Sequence, residues 1–167
     1  MSLLVPTLKP GDTLLYQWGS SCWRPAEPPD ALHTGYGNRN PERLFDTLAS
    51  DYSLLAPLIC DIRIAPFSKR EDWNRDALEA KFNPPGKRRL YCHIPQLGNP
   101  NRFECSDKLA VADMTAGIAE LERIFKAGRT PIILCACAKH AECHRSLITG
   151  ELEKRGRTVQ RLWWKEE

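Results

Sequence analysis

Short apolar runs ending in polar or glycine residues alternate along most of the chain with segments whose apolar residues recur at helical spacing. That alternation predicts βαβ units around a parallel sheet. The first strand is expected at residues 32–36. A turn at Gly37-Asn38-Arg39-Asn40 and a helix from Pro41 follow, with Asn40 as N-cap and Leu44, Phe45 and Leu48 on the buried face. A second strand over 54–62, weakened by Pro57, empties into Asp61-Ile62-Arg63. Next come a basic loop, a short helix near 74–82, and a third strand over 89–94 that leads into Pro95-Gln96-Leu97-Gly98. The longest helix is expected over 107–127, with apolar residues at Met114, Ile118, Leu121 and Phe125 and a stop near Gly128. Residues 131–135 form the most hydrophobic run and read as a central strand buried on both faces. A helix over 142–155 and a strand over 158–163 complete the pattern.

The first thirty residues read differently. Leu14-Leu15-Tyr16 suits a short strand, and Gly19-Ser20-Ser21 and a proline-rich run over 25–29 follow it. Residues 1–30 are therefore expected to be an amino-terminal extension packed on one α/β domain over 31–167. That domain would be Rossmann-like, with an open, mostly parallel sheet and flanking helices. A chain of 167 residues suits one hydrophobic core.

Charge changes this picture little. The formal charge of +3 arises from 24 basic and 21 acidic residues and is too small to argue for nucleic acid by itself. Lys87-Arg88-Arg89 and Lys154-Arg155-Gly156-Arg157 are local basic clusters that suit solvated faces. The seven cysteines are odd in number, and the apolar patch near the start is broken by Pro6, Lys9 and Pro10. A reducing cytoplasm, no membrane span and no structural disulfide are expected.

In an open parallel sheet, ligands bind outside the carboxyl ends of the strands. The residues that follow the predicted strands are Tyr36, Asn38 and Arg39, then Asp61 and Arg63, then His93. Last come Cys135, Cys137, Lys139, His140, Cys143, His144 and Arg145. In the final segment a buried strand delivers Cys135, and Cys143-His144-Arg145 opens a helix. Free N–H groups at a helix start favour an anion and lower the pKa of a nearby thiol, and an arginine fork suits phosphate or carboxylate. This is not the phosphatase signature, because Cys137 and Arg145 are separated by seven residues and the loop has no glycine. The same residues offer a second chemistry, since Cys135, Cys137, Cys143 and His144 could supply soft metal ligands. A structural role remains open for each: Cys135 as a small core residue, His144 as an internal hydrogen-bonding group, Asp61 and Arg63 as an ion pair. Trp18, Trp23 and Trp73 suit a core or lid better than base stacking.

Several blocks resemble, in order, the domain-of-unknown-function 488 family. They are His33 to Arg39, Cys60-Asp61-Ile62-Arg63, Trp73 to Leu78, Tyr91 to Gly98, and Leu134-Cys135 through Cys143-His144-Arg145-Ser146-Leu147-Ile148. The resemblance covers residues 32–156 and implies a compact α/β domain of bacterial type. It points to Asn38, Arg39, Asp61, Arg63, Asn74, His93, Cys135, Cys143, His144 and Arg145. Many members of that family carry an acidic residue where Cys137 stands, and residues 1–30 are not part of the pattern.

The expected function is binding of, or action on, a phosphate-bearing ligand, a nucleotide or nucleic acid, at the strand edge. Asp61, His93, Cys135, Cys143 and His144 are the candidate catalytic residues. Tyr36, Asn38, Arg39, Arg63, Asn74 and Arg145 are the candidate ligand-binding residues. No metal is assigned, and Cys135, Cys137, Cys143 and His144 are the candidates to hold one. A metal-binding regulatory or redox module and a noncatalytic nucleic-acid-binding domain are the alternatives. Cofactor and oligomeric state are not specified by the residues.

Overall fold

The computed structural model describes residues 16–17, 23–24, 28–50, 55–101, 108–162 and 164. Five strands form the main sheet: β3 (Ala31–Gly35), β4 (Pro57–Asp61), β5 (Tyr91–His93), β6 (Thr130–Cys135) and β7 (Val159–Arg161). Their spatial order is β5-β4-β6-β3-β7, and every pairing is parallel. The four strands that end near Tyr36, Asp61, His93 and Cys135 are thus neighbours, with β6 at the centre as its apolar sequence predicts. A separate antiparallel pair joins β1 (Tyr16–Gln17) to β2 (Trp23–Arg24).

Four helices cover the sheet: α1 (Pro41–Ser50), α2 (Arg75–Phe82), α3 (Met114–Lys126) and α4 (Arg145–Lys154). Leu44 and Leu48 of α1 and Leu78 and Phe82 of α2 pack with Leu32, Ile59, Ile132 and Leu134 on one face. Ile118 and Leu121 of α3 and Ile148 and Leu152 of α4 pack with Leu58, Cys60, Ile133 and Cys135 on the other. Alternate residues of each strand therefore feed opposite layers, which is why the central strands read as continuous apolar runs.

Local chemistry explains most boundaries. Asn40 caps α1 by accepting from the Arg43 N–H at 3.0 Å. The α3 helix ends at Gly128, whose φ of +68° suits a left-handed C-terminal turn. Its start differs from expectation: residues 108–113 are not helical, and the helix begins at Met114, capped by Asp113, whose carboxylate accepts from Ala116 N–H. Backbone bonds from Ala112 to Gly98 and from Asp113 to Gln96 hold that approach against the β5 loop, so pairing across the chain overrides helix propensity. Likewise α4 starts at Arg145, not Glu142, because Cys143 N–H bonds His140 O in a preceding turn. Strand β4 starts only at Pro57 and β5 only at Tyr91. Phe45, expected inside, is 41% exposed and only tilts against Phe82. Leu14, Leu15, Trp18, Cys22, Leu54, Cys105 and Trp163 lie outside the described residues, and so does the side chain of Trp23.

Candidate functional site

The β6 strand ends at Cys135, and the chain turns through residues 136–144 before entering α4. This turn brings Cys137 and Cys143 back over the strand end, so the sulfurs of Cys135, Cys137 and Cys143 lie within 4.8 Å of one another. Cys135 and Cys143 are buried, whereas Cys137 faces solvent. Cys143 is held well below the usual thiol range. Hydrogen bonds from Cys135 and Cys137 act most strongly, His144 and Arg145 add to them, and burial opposes. Cys135 moves the other way, raised by its contacts with Cys137 and Cys143 and by burial. Cys137 is also raised: the contact with Cys135 lowers it, but the contact with Cys143 and burial outweigh that. Of the three, Cys143 is the thiol whose surroundings favour the thiolate form.

Arg145 places a buried cation beside that thiol and adds to the shift. Only 1% exposed, it donates from Nε to Cys143 Sγ at 3.3 Å and from a terminal nitrogen to Cys137 O at 2.7 Å. It has no carboxylate partner among the described residues, and a buried guanidinium requires a counter-charge. Cys143 Sγ is the side-chain acceptor in contact with it. Gly35, at the end of β3, makes room for this arrangement: a Cβ there would stand 1.7 Å from Cys137 O and 2.8 Å from an Arg145 nitrogen. His144 completes the group. Its Nε2 lies 3.2 Å from Ile62 O, and a carbonyl only accepts, so Nε2 carries the proton. Nδ1 contacts Cys143 Sγ at 3.8 Å.

Beneath α4, His33 stacks on His140 with ring centroids 4.2 Å apart, and His140 is hydrogen-bonded to Thr149 Oγ1. The His33 pKa falls to about 4 through burial, with the nearby charges of His140, Arg145 and Arg161 adding to it.

A second buried arginine stands at the end of β4. Arg63 Nε bonds Asp61 Oδ1 at 2.9 Å, and a terminal nitrogen bonds Asp61 Oδ2 at 2.5 Å and Trp73 O at 2.8 Å. Its other terminal nitrogen donates to Tyr36 Oη at 3.2 Å, and Tyr91 Oη donates to Asp61 Oδ2 at 2.8 Å. Asp61 is fully buried. Burial together with the adjacent Asp61 carboxylate moves the Tyr91 phenol well above its usual range. Burial works against charge on Arg63, but the bonds to Asp61 raise it above the ordinary arginine range.

These elements border a cleft of about 420 Å³. Of the sequence candidates, Tyr36, Arg63, Cys135, Cys137, Cys143 and His144 line it. Arg145 stands behind the cysteines, and Asp61 stands behind Arg63. Asn38 is exposed in the turn after β3, outside the lining. Arg39 bonds Gly35 O and lies over the Trp164 ring, and Asn74 accepts from Ser68 N–H to pin the loop after β4. His93 donates to Arg63 O at 2.7 Å and lines a different groove. Trp73 is buried and stacks on Tyr36, as a core residue would. Sequence reasoning missed Phe67, Asn99, Asn101, Lys108 and Glu142, all of which line the cleft. Asn99-Pro100-Asn101 follows the short turn after β5, so a polar segment at that edge was the available signal.

Fold and site together define a parallel α/β domain with a thiol-rich cleft at the carboxyl edge of its sheet. The chain belongs to the family described as Domain of unknown function DUF488, which matches residues 40–152. That span carries β4, β5, β6 and the whole cysteine cluster. No curated protein and no solved structure matches the chain. No helix among the described residues is long and apolar enough to cross a membrane.

Proposed function

We propose that the domain binds a thiophilic divalent cation of the zinc class at Cys135, Cys137 and Cys143, and receives a ligand in the cleft beside it. The supporting observation is the convergence of three sulfurs within 4.8 Å, one of which, Cys143 Sγ, already accepts from Arg145 Nε. Soft thiolates select such ions, and three of them leave a fourth position. His144 Nδ1 is available for it, with Nε2–H anchored on a carbonyl as is usual for a metal-bound histidine. The charge of three thiolates is then balanced by the ion together with Arg145. Where His144 stays off, the cleft supplies the fourth ligand and the centre serves as a Lewis acid.

The test is metal content. Protein purified without chelator is expected to carry about one zinc per chain, lost in Cys143→Ser. A thiol-reduced protein that neither contains zinc nor takes it up overturns the metal reading. Rapid alkylation of Cys143 in that protein would instead identify a nucleophilic thiolate.

A second reading concerns the ligand. Lys108, Asn99 and Asn101 face the cleft opposite the opening of α4, and this donor-rich lining favours a phosphate-bearing molecule, a nucleotide or a nucleic-acid end. Titration with nucleoside monophosphates and inorganic phosphate tests it. Binding weakened by Lys108→Ala is expected, and no binding of either probe rejects it.

A further inference from the structure

Cys60 and Cys92 take no part in the cleft. They are register partners on the adjacent parallel strands β4 and β5, and their sulfurs are 3.7 Å apart. Neighbouring strands lie about 4.8 Å apart, inside the separation that a disulfide spans. The two thiols are unequal in access. Cys60 is fully buried, whereas Cys92 is half-buried and lines a groove of about 400 Å³ on the α3 face of the sheet. Arg89, Arg129, Glu120 and His93 border that groove, which shares no lining residue with the cleft. Arg129 is fixed there by a bond to Pro57 O, and its buried Nε has no partner among the described residues.

We propose that Cys60 and Cys92 form a redox-active dithiol, and that a hydroperoxide entering this groove converts it to a disulfide between β4 and β5. The Cys92 thiolate attacks one peroxide oxygen. The O–O bond breaks, and the other oxygen leaves and takes up a proton, as water from hydrogen peroxide. Cys92 is then a sulfenic acid. The Cys60 sulfur attacks it, the S–S bond forms, and the sulfenic oxygen departs as water with the Cys60 proton. Two thiols lose two electrons and two protons, and the hydroperoxide is reduced.

The division of labour follows from the surroundings. Cys92 is lowered from the usual thiol range, first by its hydrogen bond with Cys60 and then, against burial, by Arg89 and Arg129. Cys60 is pushed well above that range, first by burial and then by Cys92, so it keeps its proton until Cys92 has been oxidised. The attacking thiol is therefore the accessible one, and the resolving thiol is shielded from direct oxidation.

The two cysteines fall in separate tryptic peptides, residues 44–63 and 90–102, each with no other cysteine. Full-length reduced protein, treated with equimolar hydrogen peroxide and digested without reductant, is expected to yield these peptides linked, and dithiothreitol is expected to part them. In Cys60→Ser a sulfenic acid on Cys92 is expected to be trapped by dimedone, and in Cys92→Ser peptide 44–63 stays unoxidised. Arg129→Gln is expected to slow linkage by about 3-fold, since a tenfold loss of thiolate is partly offset by higher nucleophilicity. Peroxide that oxidises other cysteines while leaving these peptides unlinked overturns the proposal. So does oxidation of Cys60 at an undiminished rate without Cys92. The wild-type linkage requires no variant to fold, and zinc content reports separately on the cleft centre.

Discussion

Arg63 and Arg145 are both buried at the carboxyl edge of the sheet, 6% and 1% exposed, yet they answer to different counter-charges. Arg63 faces a carboxylate and is held on several sides: Asp61 accepts from Arg63 and Tyr91, and Arg63 also reaches Tyr36 and Trp73. Arg145 faces a sulfur and one backbone carbonyl. An ion pair held this way fixes geometry first. A thiol whose surroundings favour the thiolate, next to two further thiols and an imidazole nitrogen, can still bind a cation or attack an electrophile. On the proposed function, the β4 end frames the cleft and the β6 end supplies its chemistry.

The largest expected effect tests the frame. Asp61→Asn leaves Arg63 buried without a counter-charge and should lower unfolding free energy in urea by about 3–5 kcal/mol. A loss below about 1 kcal/mol would show that Arg63 is not held by Asp61, and the contrast between the two arginines would fail.

Next comes the space that lets the β6 loop close. Gly35→Ala places a methyl group against Cys137 O and Arg145, and should cost about 1–3 kcal/mol by overpacking. It should also speed alkylation of Cys135 as the cluster opens. Wild-type stability together with unchanged thiol reactivity would mean that the loop packs elsewhere.

Arg145→Gln sharpens the comparison on the chemical side. Zinc affinity measured by chelator competition should fall about 10- to 100-fold, as for other groups that support metal ligands. In metal-free protein, Cys143 alkylation at neutral pH should slow, because the guanidinium no longer favours the thiolate. An unchanged alkylation rate would move the origin of the thiolate to Cys135, Cys137 and His144 alone.

The smallest effect is pH-linked. His33 has its folded pKa lowered from 6.5 to about 4, so below about 6.5 the unfolded chain binds the proton more readily than the folded one. Its contribution to stability is complete above about 6.5, falls with pH through that window, and levels off below about 4. Melting temperatures of wild type and His33→Gln should therefore converge as the pH drops from 7 to 4, and parallel curves would place His33 outside the linkage.

Much of the fold could be read from one-dimensional pattern. The apolar run ending at Cys135 marked the central strand, and Asn40-Pro41 marked the start of α1, because burial periodicity and capping are local properties. Membership of the DUF488 family was equally legible in the Cys-His-Arg block and the shorter blocks before it. Other features depended on distance across the chain. Residues 108–113 could have extended α3, but their backbone groups bond Gln96 and Gly98 instead. Arg63 and Arg145 read alike as anion-holding forks, and only packing shows that one bonds Asp61 and the other contacts Cys143 Sγ and Cys137 O.

The order of the sheet's elements, the class of the domain and the edge where its polar residues gather were thus set by local sequence. Which of those residues face the cleft was decided by the tertiary structure. So was the pairing of Cys60 with Cys92, thirty-two positions apart, because strand register alone brings those sulfurs to 3.7 Å. Side-chain charge and thiol reactivity depend on neighbours within a few ångströms, and in a parallel sheet those neighbours come from distant parts of the chain.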